Sequence, residues 1–357
     1  MKPLRITIVL PFPVTKPVGG PKIMYEYANR FHELGHSVTV VHSLKRPFKK
    51  MKSPLWWKRF VFFLQGAARP KWFPLHKDIQ SIIVDEITDQ FLPDADIVFS
   101  TWWQMTYAIA ELSASKGIKV NLIQDFENWG GQEQNVIASY KLPVHHAVIA
   151  KYLETMVNKY SKEPVAYFPN AIDTKKFSLF IPVESRNPRS IISLYSEEKR
   201  KGTTYTLEAL AGLKNKYPDL AFTFFGVYPR PKDLPAWINY YRKPSNLPEL
   251  YNANAIFLSS SLGEGWALPP AEAMACGCAV VCTNIGGHAD YAIDEKTALL
   301  TEPANANSIV HQIEKLFASD AVRVQLAKAG NESLKNSFNW EHSVSTVINS
   351  FANWQKN

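Results

Sequence analysis

Two glutamates, Glu264 and Glu272, stand in the stretch GEGWALPPAEAMACGCAVV, residues 263 to 281. Glu264 lies between two glycines, a composition that predicts a turn. Glu272 follows two prolines, which suit the start of a helix because the N–H groups that proline lacks would have no partner there. We therefore expect one acid on a loop and a second acid in the first turn of a helix, where the helix dipole favours a carboxylate.

Two glycine pairs are predicted to precede helices. Gly19 and Gly20 stand before the helical pattern MYEYANRFHELG, and Gly286 and Gly287 occur in NIGGHADYA. Such glycines let backbone N–H groups approach an anion at a helix N-terminus, although a plain tight turn explains them equally well. The spacings G-x-G-x-x-G and G-x-x-x-x-G-K-[ST] do not occur in the sequence, which disfavours dinucleotide cofactors and P-loop chemistry.

The elements that must position these residues alternate between β-rich segments and helical patterns. Strands are predicted for RITIVLPF, SVTVVHS, ADIVFST, KVNLIQDF, HAVIA and PVAYFP, with helices in MYEYANRFHELG and AIAELSASKG. The pattern restarts with SIISLYS, LAFTFFGVYP, AIFLSSS, AVVCTNI and ALLTEP, around the helix TYTLEALAGLKNKYP. Such alternation indicates parallel sheets covered on both faces. We expect an α/β fold of two tandem Rossmann-like domains with a cleft between them.

Chain length fits this division, since 357 residues, 46% of them hydrophobic, suffice for about two domains. We expect an N-terminal domain over residues 1–168, a linker over 169–189 and a C-terminal domain over 190–335. The last stretch, 336–357, is predicted as a helix that returns to the first domain.

Several features predict a cytoplasmic protein. The apolar runs are far shorter than the roughly 18 to 20 residues of a membrane span, and the start of the sequence lacks a secretory h-region. The three cysteines lie together in ACGCAVVC. An odd, clustered set of cysteines predicts buried, reduced thiols rather than disulfides.

The positive charge is concentrated in one segment. Between Glu33 and Asp78 there are ten Lys or Arg and no acid, against a net charge of +8 for the whole chain. The bases alternate with aromatic residues, which is typical of a surface that lies on anionic lipid. The residues expected to contact the inner membrane face are Lys49, Lys50, Lys52, Trp56, Trp57, Lys58 and Arg59. A loop whose aromatics pack into the core is the main alternative; nucleic acid is disfavoured, because no recognition motif accompanies the segment.

The segment YNANAIFLSSSLGEGWALPPAEAMACGCAVVCTNIGGHADYA resembles the donor-binding segment of the family 4 retaining glycosyltransferases, which have the GT-B fold. The mark of that family is two glutamates separated by seven residues, and Glu264 and Glu272 match it. The resemblance extends to LPFPVTKPVGGPKIMYEYANRFHELGHSVTVV, to PNAID and to Lys201-Gly202, and so covers most of the chain. It implies transfer of a sugar from a nucleotide diphosphate-sugar, with no metal and no other cofactor.

The resemblance also implies roles for individual residues. Glu272 would accept hydrogen bonds from the ribose hydroxyls, and Glu264 from hydroxyls of the transferred sugar. Taken alone, Glu272 would be an ordinary helix-start acid, which contributes about 0.3 to 1 kcal/mol. Lys201 stands at the position of the family's phosphate-binding lysine. The family's partner arginine is missing, and Arg200 either replaces it or is simply a solvated residue. The remaining donor contacts are expected at Gly19, Gly20, Gly265, Ala267, Leu268, Gly286 and Gly287.

The acceptor is expected on the first domain. Members of the family often have a histidine after the strand corresponding to ADIVFS, where this chain has Trp102 and Trp103. These rings either stack on a sugar or belong to the core. Asp125 and Glu127 follow another strand, at the edge where parallel sheets carry function, and QDFE resembles a stretch of some bacterial rhamnosyltransferases. For both acids a purely structural role stays open.

One rival motif is Asp94 and Asp96, whose D-x-D spacing serves another glycosyltransferase fold in metal binding; the tandem architecture disfavours that use.

The sequence thus predicts a retaining glycosyltransferase that acts on a hydroxyl of a glycan or lipid-linked glycan, peripherally bound at the inner membrane face. A sugar-nucleotide epimerase of the same fold is one alternative. A catalytically silent binding partner is the other, because two usual family positions are altered.

Overall fold

The computed structural model describes residues 2–128 and 132–356, which form two compact units. The first unit contains the chain up to Phe168 and again from Val344 onward. The second unit contains the chain from Pro169 to Ser343. The first unit is therefore assembled from both ends of the sequence, and the second from one continuous stretch.

Residues 169–189, expected as a linker, pack as part of the second unit. The side-chain oxygen of Asn252 accepts hydrogen bonds from the amides of Phe180 and Ile181, at 3.0 and 3.1 Å. The buried guanidinium of Arg186 donates to the carbonyl of Ile181 at 2.8 Å. Polar side chains thus satisfy the backbone of this stretch, which is a fixed part of the unit rather than a free connection.

The first unit is built on a parallel sheet of seven strands, in the order β3-β2-β1-β4-β5-β6-β7. The strands are β1 (Arg5–Leu10), β2 (Ser37–Ser43), β3 (Gln80–Val84), β4 (Ile97–Thr101), β5 (Ile118–Ile123), β6 (His145–Val148) and β7 (Ala166–Tyr167). Ile6 of β1 pairs with Val38 of β2 and with Ile97 of β4. The central strands are buried along nearly their whole length, as expected when helices cover both faces of a parallel sheet.

The helices that accompany this sheet are α1 (Gly19–Glu33), α2 (Leu55–Leu64), α3 (Trp103–Ala110), α4 (Glu133–Ser139) and α5 (Lys151–Val157). The helix expected in AIAELSASKG was wrong in its position. α3 begins at Trp103 and ends at Ala110, and the rest of the segment contains only a single 3-10 turn, Ala114–Lys116. Gly117 ends that turn with φ +77°, a conformation that favours glycine. The start of α3 shows no amphipathic period because its first residues are mostly buried.

The second unit is built on a parallel sheet of six strands, in the order β10-β9-β8-β11-β12-β13. The strands are β8 (Ser190–Leu194), β9 (Ala221–Gly226), β10 (Ile238–Arg242), β11 (Ile256–Ser259), β12 (Ala279–Thr283) and β13 (Ala298–Thr301). The accompanying helices are α6 (Thr203–Lys216), α7 (Leu247–Asn252), α8 (Leu268–Ala275), α9 (Ala306–Ala318) and α10 (Asp320–Ser337). Leucine, isoleucine and phenylalanine side chains from both faces form a continuous core around this sheet.

In both parallel sheets the order in which successive strands are added reverses next to the first strand of the unit. This confirms the expected pair of Rossmann-like domains. In the first sheet the reversal lies between β1 and β4, and in the second between β8 and β11. In folds of this kind the crevice at the carboxyl ends of the two strands that flank the reversal is the usual place for a ligand. The two reversals therefore mark where each unit is expected to bind.

The last helix is α11 (Trp340–Trp354), and its part from Val344 onward completes the core of the first unit. Phe351 is fully buried, and its ring packs against Phe31, Phe99 and Phe168, with centroids 5.9, 5.6 and 6.4 Å away. Aromatic pairs at these separations add to the free energy of burial. The end of α11 is thus an internal part of that unit.

The three cysteines are buried and unpaired, which confirms the prediction of reduced thiols. Burial raises the pKa of the Cys278 thiol to about 12. Its sulfur donates to the carbonyl of Tyr251 at 3.1 Å. Such thiols act as small apolar residues and are poor nucleophiles.

Candidate active site

The predicted acid Glu264 and the predicted cation Lys201 meet at the reversal point of the second sheet. Lys201 Nζ lies 2.7 Å from Glu264 Oε1, and the hydroxyl of Ser261 donates to the same oxygen at 2.8 Å. Arg200 Nη1 lies 3.6 Å from Glu264 Oε2. The Glu264 side chain is only 8% exposed, whereas the Arg200 side chain is 49% exposed. The structure therefore brings both candidate cations to one shielded carboxylate.

Glycines allow the loops that carry these groups to approach each other. Lys201 ends a 3-10 turn after β8, and Gly202 follows with φ +66° at the start of α6. A Cβ atom on Gly202 would collide with the carbonyl oxygen of Ser260, beyond the end of β11. The loops are also joined by a hydrogen bond from the Leu262 amide to the Arg200 carbonyl, at 2.7 Å. Any other residue at 202 would require one of the two loops to shift.

Gly286 and Gly287 do not precede a helix, so that part of the prediction was wrong. The residues after them form turns, in which the His288 amide donates to the Ile285 carbonyl at 3.0 Å. Gly287 has another function: a Cβ atom there would collide with the backbone of Glu264. Gly287 thus permits close packing against Glu264, and the pair supplies no helix N-terminus to an anion.

Glu272 lies deeper in its helix than expected. α8 begins at Leu268 and has no acid in its first turn, because Glu272 is the fifth residue of the helix. The expectation that Glu272 lies in the first turn of this helix was therefore wrong. Glu272 is buried, and the hydroxyl of Tyr251 lies 3.5 Å from Glu272 Oε2. Burial raises the pKa of Tyr251 far above its usual value, so this phenol keeps its proton.

The start of α8 nevertheless faces the same recess as the ion pair. Pro269 and Pro270 line a narrow recess together with Lys201, Ser260 and Glu264. The positive end of a helix dipole and a lysine both favour an anion such as a diphosphate, although Pro269 and Pro270 themselves have no N–H to donate. The recess therefore combines the components of an anion site at the reversal point of the sheet.

The predicted donor contacts Gly265, Ala267 and Leu268 differ in their backbone hydrogen bonds and in their exposure to solvent. The Ala267 amide donates to the Gly287 carbonyl at 3.1 Å, and the Ala267 carbonyl accepts from the Tyr291 hydroxyl at 2.9 Å. Because both backbone groups of Ala267 are engaged, its role is to fix the loop. Gly265 is buried, while Leu268 is partly exposed at the helix start.

Two neighbours of the acids were missing from the sequence prediction. Ser261 stands three residues before Glu264, and its position on the same turn was a usable signal. Tyr251 lies 21 residues from Glu272, on α7, and only the folded chain brings the two together.

The first sheet carries the predicted acceptor residues at its own reversal point. Trp102 follows β4 with φ 76° and ψ 134°, a backbone conformation that is strained for any residue with a side chain. Its ring is 5.3 Å from that of Phe12, which follows β1, and the guanidinium of Arg46 lies 5.4 Å from its centre. Trp103 is buried and packs on Tyr107, which makes it a core residue. Trp102 is thus the partly exposed tryptophan at the carboxyl edge of the sheet.

Glu127 holds the turn that contains these tryptophans. Its carboxylate accepts a hydrogen bond from the Trp103 amide at 2.7 Å. Burial raises the pKa of Glu127 to about 8, and the nearby charge of Asp125 contributes in the same direction. Asp125 itself is partly buried and accepts from the Phe126 amide at 2.9 Å. Glu127 therefore supports the site from within.

Gly19 and Gly20 are the first two residues of α1 rather than a loop before it. Gln124 connects Gly20 to the sheet, because its amide nitrogen donates to the Gly20 carbonyl at 3.2 Å and to the Thr101 hydroxyl at 2.9 Å. A Cβ atom at position 20 would be in ordinary van der Waals contact with the Gln124 side chain. The glycines thus lie at the same edge as Trp102.

The D-x-D acids are paired with cations of the first unit. Asp96 lies 2.9 Å from the Arg5 guanidinium, and Asp94 lies 2.8 Å from Lys116 Nζ. These ion pairs lower the pKa of both carboxyls. A metal at this motif would have to compete with both ion pairs.

The basic aromatic segment contains an exposed helix, α2, none of whose residues is buried. Trp56 and Phe63 are 69% and 78% exposed, and Trp57 is also exposed. Arg59 pairs with Asp85 at 2.7 Å, and Lys58 lies 3.5 Å from the Leu44 carbonyl. Also exposed are Lys49, Lys50 and Lys52. Cations and rings are thus presented together on one surface.

The same segment becomes part of the core after α2. Trp72 donates its ring N–H to the Val14 carbonyl at 2.9 Å, and the buried Phe73 stacks on Tyr25. The two interpretations of the segment therefore apply to different parts of it. Among the residues that the structure describes, no helix has both the length and the apolar character to cross a membrane.

Residues 174–333, which lie within the second unit, match the family model of the glycosyl transferases group 1. The second unit is therefore similar to that family over these residues, in agreement with the resemblance to GT-B glycosyltransferases. The match covers the Lys201 and Glu264 loops and helix α8. The first unit lies outside the matched residues.

Curated relatives match parts of the chain. O-antigen chain mannosyltransferase B of Escherichia coli is 32% identical over 117 residues, which are 32% of this chain and 30% of that protein. A D-inositol 3-phosphate glycosyltransferase of Arthrobacter sp. is 27% identical over 169 residues, 43% of this chain and 40% of that protein. The matches thus span less than half the length of these relatives.

Solved structures match the whole chain in fold. Sucrose-phosphate synthase from Thermosynechococcus elongatus superimposes with a TM-score of 0.72 at 16% identity, over 99% of both chains. HepE of Anabaena in complex with UDP superimposes with a TM-score of 0.75 at 13% identity, over 98% of this chain and 99% of that one. The fold is that of GT-B glycosyltransferases.

Proposed function

We propose that the protein is a retaining glycosyltransferase that moves a sugar from a nucleotide diphosphate-sugar to a hydroxyl of a glycan or lipid-linked glycan. The observation that carries the proposal is the contact between Lys201 and Glu264. It lies at the reversal point of the second sheet, within the residues that match the model of the glycosyl transferases group 1. Since UDP is bound in the HepE structure of the same fold, a nucleotide donor is compatible with this architecture.

The proposed chemistry uses positioning and charge. Lys201 and the N-terminus of α8 bind the diphosphate, and Arg200 adds a second cation from a more exposed position. As the bond between the sugar and the phosphate breaks, negative charge grows on the phosphate, and preorganised cations stabilise it more than they stabilise the substrate. The departing phosphate accepts the acceptor's proton on the same face of the sugar, so retention needs no protein base and no metal.

Each acid is proposed to contact one end of the donor. Glu264, fixed by Lys201 and Ser261, accepts from hydroxyls of the transferred sugar. Glu272, next to Tyr251, accepts from the vicinal ribose hydroxyls. The buried surroundings of both carboxylates support these roles, because hydrogen bonds to a shielded charged acceptor are strong.

For the acceptor side we propose that Trp102 stacks on a sugar ring and that Glu127 positions it. Indole faces suit the apolar faces of sugars, and strain at a bulky residue is commonly maintained for function. The QDFE segment supports rhamnosyl transfer as the narrowest form of the proposal. Asp125, at the same strand end, is proposed to contact the acceptor.

We further propose that the exposed surface of α2 and the preceding lysines lies on anionic lipid at the inner face of the membrane. Each basic residue near such a surface contributes about 1 kcal/mol. Exposed indole rings suit the interface between water and lipid. This would place the enzyme next to a lipid-linked acceptor.

A panel of nucleotide-sugars tests the proposal. The active donor should raise the melting temperature by mass action and should support transfer to a glycan acceptor. Lys201→Ala should lower kcat by about 10²- to 10³-fold, as for loss of one preorganised charge-stabilising group, whereas Lys199→Ala, an exposed neighbour, should have little effect. A wild-type protein that binds a donor but neither transfers nor hydrolyses it would be a silent binding partner instead.

A further inference from the structure

A cluster of three metal-ligating side chains lies on the first unit, apart from the residues proposed for catalysis. His32 is in the last turn of α1, and His76 and Asp78 lie on the loop between α2 and β3. Each offers one ligand atom, and the three atoms lie within 4.8 Å of one another. The two imidazole rings are 4.3 Å apart at their centroids, and His76 Nδ1 is 3.8 Å from Asp78 Oδ2.

The loop that carries His76 is fixed against α1 by hydrogen bonds. The side-chain oxygen of Asn29 accepts from the His76 amide at 2.8 Å, while its nitrogen donates to the Pro74 carbonyl at 3.0 Å. Asn29 lies one turn before His32 on the same helix, so it sets the distance between the two histidines. Ligands that are already held in place lose less conformational entropy when they bind.

Arg69 fixes the same loop from its other side. Its guanidinium donates to the carbonyls of Leu75, His76 and Ile79, at 3.1, 2.6 and 2.8 Å. The two residues that flank the ligands are therefore both anchored, with Leu75 before His76 and Ile79 after Asp78. The side chains of His76 and Asp78 are 43% and 61% exposed, so a hydrated ion can reach them.

We propose that His32, His76 and Asp78 bind a divalent transition-metal ion of the zinc type. Two imidazoles and one carboxylate are ligands that suit Zn²⁺, and such three-ligand sites leave one position for water. Ligand atoms about 2.0 to 2.2 Å from a tetrahedral ion are about 3.4 Å apart, so the 3.8 Å between His76 and Asp78 closes with small side-chain rotations. Mg²⁺ and Ca²⁺, which take oxygen ligands, do not suit this set.

The ion would join the loop after α2 to the end of α1. Binding to the folded chain alone raises the free energy of unfolding by mass action. The site lies in the first unit, and His32 is at the opposite end of α1 from the predicted donor contacts Gly19 and Gly20, so the inference does not depend on the proposed function. The expected role of the bound ion is to stabilise the loop that follows the exposed helix α2. Lys77 and Arg69, which are nearby cations, weaken the attraction for the ion and favour reversible occupancy.

Equilibrium dialysis of the whole chain against ZnCl₂, followed by metal analysis, tests the site. The wild type should bind one zinc ion and melt at a higher temperature with zinc, while MgCl₂ should change neither. His76→Gln and Asp78→Asn should abolish both effects. His311→Gln, which removes an exposed histidine of the second unit, is the matched control and should behave as wild type.

Co²⁺ provides a second measurement, because its visible absorption distinguishes tetrahedral coordination by protein ligands from the hydrated ion. Circular dichroism of each variant without metal establishes that it folds. Asp78→Asn, at an exposed position, is expected to fold even if His76→Gln does not. Absence of zinc binding by the wild type, or equal binding by Asp78→Asn and wild type, would overturn the proposal.

Discussion

The carboxylate of Glu127 accepts a hydrogen bond from the amide of Trp103, and this contact holds the turn in which Trp102 is strained. The φ of 76° at Trp102 is unfavourable for a bulky residue. Natural folds keep such strain where the position of a side chain matters, as at binding sites. The pair therefore provides a direct test of the acceptor edge of the first unit.

Two substitutions at Trp102 separate the effect of the indole ring from the effect of the backbone strain. Trp102→Ala and Trp102→Gly both remove the ring, but only glycine adopts the positive φ without cost. We expect both to raise the acceptor KM by about tenfold, which corresponds to ~1.4 kcal/mol of lost stacking. Thermal unfolding should show the glycine variant to be more stable than the alanine variant, by about 1 kcal/mol.

The control for this pair is Ala304→Gly, at another residue with positive φ (57°) in the second unit. It should increase stability and leave the acceptor KM unchanged. An unchanged acceptor KM in both Trp102 variants would assign Trp102 to packing alone.

Glu127 should make stability depend on pH. Its pKa is raised from 4.5 to about 8 by burial, so the folded chain keeps a proton that the unfolded chain loses at lower pH. Between these two pKa values the folded state binds more protons, and the free energy of unfolding therefore falls as the pH rises. Relative to Glu127→Gln, the wild type should lose about 1 to 3 kcal/mol between pH 5 and pH 8.

Urea denaturation at a series of pH values measures this difference. Glutamine stays neutral and can still accept from the Trp103 amide, so its own curve should lack this contribution. Glu111→Gln, at the exposed end of α3, is the control and should parallel the wild type. Parallel curves for wild type and Glu127→Gln would mean that Glu127 is ionised throughout.

The two glutamates of the donor site should have separable effects. Glu272→Gln should weaken binding of the donor's nucleoside diphosphate by about tenfold, because a ribose contact contributes uniform binding. Glu264→Gln should leave that affinity nearly unchanged and lower kcat by about 10²-fold, because a contact to the moving sugar strengthens in the transition state. Calorimetric titration and initial rates decide between them. Glu332→Gln, exposed on α10, is the control, and equal loss of affinity in both site variants contradicts separate roles.

Chelation should leave sugar transfer intact. The diphosphate is proposed to bind Lys201 and a helix start, and Asp94 and Asp96 are already paired with Lys116 and Arg5. Dialysis against EDTA should therefore leave the initial rate unchanged, even where loss of zinc from the His32 site lowers the melting temperature. Abolished transfer that Mn²⁺ restores would instead favour a metal at the D-x-D motif.

The surface of α2 should bind anionic vesicles in a salt-dependent manner. Binding should weaken as salt rises toward about 0.5 M, where the Debye length is roughly 4 to 5 Å. The variant with serine at 49, 50, 52, 58 and 59 should lose most vesicle binding in a co-sedimentation assay. It should retain transfer to a short, water-soluble acceptor, because Lys201, Glu264 and Glu272 lie in the other unit.

A control for this variant must carry the same change in net charge. Five exposed lysines elsewhere serve this purpose when replaced by serine: Lys2, Lys141, Lys159, Lys162 and Lys175. If the control loses vesicle binding to the same extent, only net charge matters. If the α2 variant loses transfer to the short acceptor as fully as Glu272→Gln, the segment belongs to the active site.

The sequence was sufficient where hydrophobicity alone determines structure. β1 and β2 lie where the runs RITIVL and SVTVVHS predict them, because strands of a parallel sheet are buried and apolar. The edge strands β3 and β10 were missed, since QSIIV and INYYR contain polar or exposed residues. A strand with one free edge carries a weaker apolar signal.

The candidate site was predictable in its residue types and less so in its geometry. The motif identifies Glu264 and Lys201, whose contact depends on close packing at Gly202 that only the folded backbone reveals. Glu272 was placed one turn too early because α8 begins at Leu268, before both prolines. The division between Trp102 and Trp103 depends on a backbone conformation, for which the sequence gives no signal.

The end of α11 has a consequence for synthesis of the chain. Phe351, which fills the centre of the aromatic cluster around Phe99 and Phe168, is translated only after the whole second unit. The N-terminal unit therefore cannot complete its core while the ribosome is still making the middle of the protein. The C-terminal unit, being one continuous stretch, is complete earlier, which reverses the usual N-to-C order in which domains finish folding.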